Sequence, residues 1–218
     1  MKLIDAMKKE GRPFEIPDCS RNELPEFFKE MGYKVGAEIG VYKGHYTRRF
    51  AKAGLKIYGV DLWKPYKDFD RETDNRVTRQ EELFERATNF LSRYKEVTLI
   101  RKKSMDAVKD FEDESLDFVY IDANHRIKFA LEDIYEWSKK VRRGGIVSGH
   151  DYVDASDFGE NINTKYKRWY DRNIHVKYAV DAYTKAKEYE IKNWYVLGRK
   201  EKRDGEKRDK CRSFMWIK

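Results

Sequence analysis

The chain has 218 residues, 40% of them hydrophobic and 39% charged, with 15% aromatic residues and a formal net charge of +8. That is long enough for one domain with a substantial core, and too rich in large apolar side chains for a disordered chain. Its two cysteines, Cys19 and Cys211, lie far apart, match no metal-ligand spacing and exclude a disulfide scaffold.

The charge is unevenly spread. Residues 199–218 hold nine basic and four acidic side chains, a balance of +5, which leaves +3 for everything before them. The stretch 199–210 alternates in sign around Gly205. It reads as a solvated loop more than a surface that tracks phosphates, which argues against nucleic acid as a partner. Residues 1–14 carry lysines without a continuous apolar centre, unlike a signal peptide. No run approaches the ~20 apolar residues of a membrane span, so a cytoplasmic chain with no membrane partner is expected.

In chain order, residues 1–34 read as a mostly helical lead-in, with Leu24, Phe27, Phe28 and Met31 at helical spacing and Pro25 in a first turn. Residues 35–218 read as a single domain. A strand at 35–39 runs into the turn Gly40-Val41-Tyr42-Lys43-Gly44. A helix with Tyr46, Phe50 and Ala53 on one side follows, and Gly54 is its stop signal. A second strand, 57–60, is tipped by Asp61. A polar loop at 62–76 holds Trp63, Pro65 and Tyr66, and a helix over 77–94 buries Leu83, Ala87, Phe90 and Leu91.

A strand at 97–100 leads to a short helix at 104–110. The apolar run 116–121, typical of a strand covered on both faces, ends in Asp122. Ile127, Leu131, Ile134, Ser138 and Val141 then form a helical stripe. Gly144-Gly145 turns the chain into a strand at 146–148 that ends in Gly149-His150-Asp151. Two helices follow, one with Ile162, Tyr166, Trp169 and Tyr170, the other with Val176, Ala179, Val180 and Tyr183. A hairpin of 193–199 and 212–217 closes the chain. Strands alternating with helices predict an α/β fold with a mostly parallel sheet.

The segment 35–47 with Asp61 carries the strongest functional signal. A strand, a glycine turn, a helix and an acid-tipped second strand suit a nucleoside-bearing cofactor, whose ribose hydroxyls the acid accepts. Nicotinamide enzymes place G-x-G-x-x-G here, so that a pyrophosphate lies on the helix N-terminus. This chain has Tyr42 at the middle position, and Glu38 would set negative charge beside those phosphates. A cofactor with a cationic amino-acid end and no phosphate suits the site better, and S-adenosylmethionine is such a cofactor.

Four stretches then carry a resemblance: Ala37-Glu38-Ile39-Gly40-Val41-Tyr42-Lys43-Gly44, Gly59-Val60-Asp61-Leu62-Trp63, residues 118–125 ending in Asp122-Ala123-Asn124-His125, and residues 144–152 containing His150-Asp151. With these the chain resembles the class I S-adenosylmethionine-dependent methyltransferases. It is most similar to the small-molecule branch of macrocin-type sugar O-methyltransferases and cephalosporin-hydroxylase-like proteins. The resemblance implies a Rossmann-like fold, a seven-stranded, mostly parallel sheet with an antiparallel C-terminal strand and helices on both faces. It also implies that Glu38, Gly40 and Gly44 form the site for the methionine moiety and that Asp61 takes the ribose. Tyr42 departs from the family's frequent middle glycine and is expected to border the cofactor and narrow its pocket. Leu62 and Trp63 would flank the adenosine, Ser104 and Met105 would touch the adenine, and Asp122 would lie beside the sulfonium.

Methyl transfer is an in-line displacement that mainly needs alignment, but an oxygen acceptor must also lose a proton. Asp122, His125, His150 and Asp151 end strands that open on one crevice. In one version His125 or His150 is the general base. In the other, Asp122 and Asp151, with or without His150, bind Mg²⁺, which holds a diol. His125 could instead cap the helix that follows it, and His45 and His175 read as surface or packing residues. Tyr152, Phe158, Tyr166, Trp169 and Tyr170 could stack on an acceptor or pack on the sheet.

The expected reaction is methylation of a hydroxyl on a small molecule or saccharide. A nucleic-acid or protein methyltransferase, a silent binding or scaffold protein, and a nicotinamide oxidoreductase are the rivals. The oligomeric state is open, a homodimer included.

Overall fold

The structure is a computed structural model that describes residues 3–67, 76–158, 164–199 and 211–218, with the backbone alone for residues 158, 165 and 166. The expected loop at 200–210, part of the loop at 62–76, and Ile162 lie outside the described residues. The strands are β1 (Phe14–Ile16), β2 (Val35–Ile39), β3 (Lys56–Asp61), β4 (Val97–Arg101), β5 (Leu116–Ile121), β6 (Val141–Gly149), β7 (Trp194–Leu197) and β8 (Ser213–Ile217). The helices are α1 (Leu3–Ala6), α2 (Leu24–Glu30), α3 (Thr47–Lys52), α4 (Val77–Leu91), α5 (Ser104–Ala107), α6 (Ile127–Lys140), α7 (Thr164–Asn173) and α8 (Val176–Ala186). One eight-stranded sheet has the order β1-β7-β8-β6-β5-β2-β3-β4. β8 runs antiparallel to both of its neighbours, and every other pair is parallel.

The alternation along β5 sets the two layers. Phe118 and Tyr120 face Leu24, Phe27, Phe28 and Phe50 of α2 and α3. Val119 and Ile121 face Ala130, Ile134 and Trp137 of α6 and Ala179 and Val180 of α8. Both faces are apolar because both are covered, as in parallel sheets generally. The Phe28 ring lies 4.5 Å from that of Phe118 and 6.1 Å, stacked, from that of Phe50.

Three expectations change. The lead-in contributes β1, an eighth strand paired in parallel with β7, Phe14 opposite Tyr195 and Ile16 opposite Leu197. The stripe on α6 is rotated: Ala130, Asp133, Ile134, Trp137 and Ser138 are buried, and Ile127 is exposed. Trp137 decides this, because its large ring packs edge-on against Phe111 and its N–H bonds to Ser104. β6 starts at Val141, directly after α6, earlier than the expected 146. Its first half is held by a Gly144 N–H to Lys218 bond and a Lys218 N–H to Gly145 bond, 2.7 and 2.9 Å long.

The carboxyl ends of β2, β3, β5 and β6 open on the same side of the sheet, where such folds bind ligands. Backbone bonds carry the ladder past these ends. Gly40 N–H bonds Val60, Asp122 N–H bonds Ile39, and His150 N–H bonds Ile121, at 2.8, 2.8 and 3.0 Å. The polar residues that follow the strands are therefore fixed by the sheet.

Candidate functional site

A cavity of about 630 Å³ lies over these strand ends. Of the residues read from the sequence, Glu38, Gly40, Tyr42, Asp61, Leu62 and Trp63 line it, as do Ser104, Met105, Asp122 and His125. Gly44, His150 and Asp151 do not. Gly44 has φ +76° and faces α4, where a Cβ would lie 2.6 Å from Leu91. It closes the turn from outside. His150 and Asp151 sit behind the wall and reach the cavity through Asp122 and His125.

Gly40 meets a close approach. A Cβ there would lie 2.0 Å from the carbonyl oxygen of Asp122, at φ +97°. Tyr42, at the middle position of the turn, adopts φ +53°, a region most side chains avoid. Asp61 and Trp63 hold it there. The Asp61 carboxylate accepts N–H bonds from Tyr42 (2.9 Å) and Trp63 (3.1 Å), and the Trp63 indole donates to the Tyr42 carbonyl (3.0 Å). Trp63, itself at φ +43°, is 1% exposed and packs against Leu83 and Ala87. It braces the turn as well as lining the cavity.

Glu38 is 2% exposed, and its Oε2 has no hydrogen-bond partner among the described residues. Burial pushes its carboxyl up to about 8. A buried carboxyl with an unmatched oxygen in a cavity wall is costly unless a ligand donates to it. The ammonium of a methionine moiety is such a donor, so this residue fits the cofactor inferred from sequence. Asp61 is also raised by burial, against the opposing N–H bonds of Tyr42 and Trp63.

At the acidic end, His125 Nε2 lies 2.8 Å from Asp151 and 3.5 Å from Asp122. His150 Nδ1 lies 3.3 Å from Asp151 and 3.9 Å from Asp122. Burial would lower the His150 pKa, but Asp151 and then Asp122 outweigh it, so the imidazole is held above its ordinary value. Burial would raise both carboxyls. The neighbouring histidines reverse that, holding Asp122 below and Asp151 well below the usual carboxylate range. Asp151 has φ +57°. Asp122, His125 and Asp151 place ligand atoms within 4.8 Å of one another, close enough to share a metal ion.

Residues other than His125 meet the first two N–H groups at the start of α6. Asn124 accepts the Arg126 N–H at 3.0 Å and His175 Nδ1 accepts that of Ile127 at 3.3 Å. His45 lines the cavity, packed edge-on to Phe90. Of the expected acceptor aromatics, Tyr152 is buried with its hydroxyl on Asp181 (2.7 Å), and Tyr170 packs with Val153 and Ile174. These two are packing residues. Trp169 is 39% exposed, and the side chains of Phe158 and Tyr166 lie outside the described residues.

Sequence reasoning missed Arg21, Tyr66 and Asp133, all in the cavity wall. Arg21 donates to Asp122 at 2.9 Å. A capping box fixes its turn: Ser20 N–H and hydroxyl donate to Glu23 at 2.7 and 2.8 Å, and Asn22 N–H donates to Ser20 at 3.2 Å. The Ser20-x-x-Glu23 pattern could have shown the turn but not its partner 101 positions away. Tyr66 accepts from the Asn124 amide at 3.0 Å, bridging two walls. Asp133 was readable as a charge beside the apolar positions of α6.

The sheet order, the turn and the acidic tips define a class I methyltransferase fold. The family described as a methyltransferase domain matches residues 37–152, more than half of the chain, and the chain belongs to that family. Among solved structures it is similar to an O-methyltransferase from Bacillus cereus in complex with S-adenosylhomocysteine, at 15% identity over 91% of this chain and 80% of that one, with TM-score 0.60. It is similar also to the O-methyltransferase TomG from Streptomyces achromogenes, involved in tomaymycin synthesis and in complex with S-adenosylmethionine, at 12% identity over 90% and 78%, TM-score 0.60. A third is a putative caffeoyl-CoA O-methyltransferase from Staphylococcus aureus, at 14% identity over 91% and 82%, TM-score 0.58. A comparison with curated proteins gives no match.

Proposed function

We propose that the protein is an S-adenosylmethionine-dependent O-methyltransferase acting on a hydroxyl of a small molecule or saccharide. The observation that carries this is Glu38: a buried carboxyl with an unmatched oxygen, in a cavity that also holds Asp61 at the tip of β3. When bound, the cofactor supplies a methyl group on a cationic sulfur and leaves as a neutral thioether. Glu38 accepts the ammonium, Asp61 the ribose hydroxyls, and Gly40 lets the backbone approach. Tyr42 and Gly44 shape the turn. Leu62 and Trp63 flank the adenosine, and Ser104 and Met105 meet the base.

His125 is the general base of this reading. Its Nε2 lies 2.8 Å from Asp151 and 3.5 Å from Asp122, and these carboxylates favour the imidazolium that forms when the ring takes the acceptor proton. Asp151 orients the ring, and His150 balances the charge of the two carboxylates. A second reading places Mg²⁺ on Asp122 and Asp151 with His125 as a third donor, favoured by the closeness of their ligand atoms. There the ion would acidify the acceptor hydroxyl. The first reading is preferred because Arg21 already neutralises Asp122 and because Mg²⁺ favours an all-oxygen octahedral shell.

Calorimetry with S-adenosylmethionine and S-adenosylhomocysteine, NAD as control, on wild type and Asp61→Ala tests the cofactor. Binding of the first two, weakened in the variant, is expected. Their failure to bind folded wild type would overturn the reading and favour a scaffold role. An acceptor screen with and without a chelator then separates the base from the metal version. The reading as a cytoplasmic protein is tested by fractionation, and that of a homodimer by sedimentation.

A further inference from the structure

Asp133 has no part in the chemistry described above, yet it is 4% exposed and lines the cavity. It stands on the face of α6 that packs on the sheet, between Ala130 and Ile134 on one side and Trp137 on the other. Burying a carboxyl there is expensive unless something uses it. One side of the group is fully arranged. The Trp137 indole N–H donates to Ser104 Oγ at 2.8 Å, and the Ser104 hydroxyl in turn donates to Asp133 Oδ1. This relay has a direction: the indole can only donate, so the serine proton is sent to Oδ1, which is kept an acceptor. Among the described residues, Oδ2 takes no hydrogen bond. Met105 and Phe129 complete this end of the cavity with apolar surface suited to a flat ring.

We infer that Asp133 reads the base of the cofactor, its carboxyl pairing with the adenine edge where an amino group donates and the adjacent ring nitrogen accepts. Oδ1 accepts from the amino group, beside the serine bond, and a proton on Oδ2 donates to the ring nitrogen. Burial pushes this carboxyl up to about 7, so the proton is available near neutrality. A base carrying a carbonyl in place of the amino group sets an acceptor against Oδ1. The serine relay stops the carboxyl from swapping its two oxygens to accommodate it. Ser104 is a positioning residue in this scheme. The inference rests on the cofactor reading above and adds to it the residue that selects adenine.

The test is calorimetric binding of S-adenosylhomocysteine and of its deaminated analogue, S-inosylhomocysteine, to wild type, Asp133→Ala, Asp133→Asn and Ser104→Ala. Wild type is expected to prefer the adenine compound by at least ~30-fold, since a site built to pair with an N–H rejects a ligand lacking it. Asp133→Ala is expected to bring the ratio within about threefold. Asp133→Asn is expected to keep the preference, because its amide offers the same acceptor and donor pair. Ser104→Ala should narrow the ratio by freeing the two oxygens to exchange. A purely structural role would lower the melting temperature of these variants and leave the ratio alone. An unchanged ratio in Asp133→Ala overturns the inference, or, where that variant does not fold, an unchanged ratio in Ser104→Ala. Wild type that binds both compounds equally overturns it while sparing the cofactor reading. Wild type that binds neither overturns both.

Discussion

Glu38 sets a proton balance that the cofactor must disturb. With its carboxyl at about 8, the empty site carries that proton at pH 7. An ammonium brought against it favours the charged form, so binding lowers the pKa and expels the proton. Calorimetry of S-adenosylhomocysteine binding at pH 7 in two buffers of different ionisation enthalpy is expected to show a net release of less than one proton, because Asp133, partly ionised at this pH, takes up part of a proton as it pairs with the base. Glu38→Gln should abolish the release and weaken binding at least ~10-fold, or about 1.4 kcal/mol. Asp61 acts on backbone as well as ligand. Asp61→Ala removes the acceptor of two N–H groups that hold Tyr42 and Trp63, so it is expected to cost about 2–3 kcal/mol of stability in denaturant unfolding besides weakening the cofactor. His125→Ala is expected to lower kcat ~100-fold or more with cofactor affinity unchanged.

At the scale of elements, what was legible in the sequence had local causes. The turn from β2 could be read because Asp61 and the N–H groups of Tyr42 and Trp63 that it accepts lie within one short βαβ stretch, although the contact that demands Gly40 is with Asp122 after β5. β1 could not. Its three residues lie between Pro13 and Pro17, too short for an alternating pattern, and they pair as a strand because β7 offers an edge. The face of α6 was misjudged because the reading weighed aliphatic spacing and not the size of Trp137. Arg21 escaped because its partner lies in another element and its meaning is purely spatial. The lead-in is consequently part of the core and not an appendage. Phe28 of α2 is fully buried against Phe50 and Phe118. Phe28→Ala is expected to cost ~3–5 kcal/mol, as for other large-to-small changes of buried phenylalanines, and to be seen as an earlier midpoint in urea.

For the whole molecule, the site determines how stability varies with pH. Glu38 and Asp133 have folded values of about 8 and about 7, above the 4.5 and 3.8 of the unfolded chain. Between the unfolded and folded values the native state holds more protons than the unfolded one, so stability falls as pH rises. Their contribution is complete below the ordinary carboxylate range and lost through about 7 and 8. The raised His150 works in the same direction, its contribution disappearing as pH rises through its folded value. Asp122 and Asp151 have the opposite sign: lowered in the fold, they stabilise at and above the ordinary carboxylate range and lose this only in acid. The cofactor-free protein is therefore expected to melt highest near pH 5 and progressively lower at pH 6, 7 and 8. Glu38→Gln should flatten that decline, because a neutral amide has no proton to lose. A saturating concentration of S-adenosylhomocysteine should flatten it as well, since its ammonium pairs with the carboxylate that forms as pH rises. A melting temperature that holds steady from pH 5 to 8 without cofactor would show that Glu38 and Asp133 are charged in the fold, and that the cavity is wetter than its packing indicates.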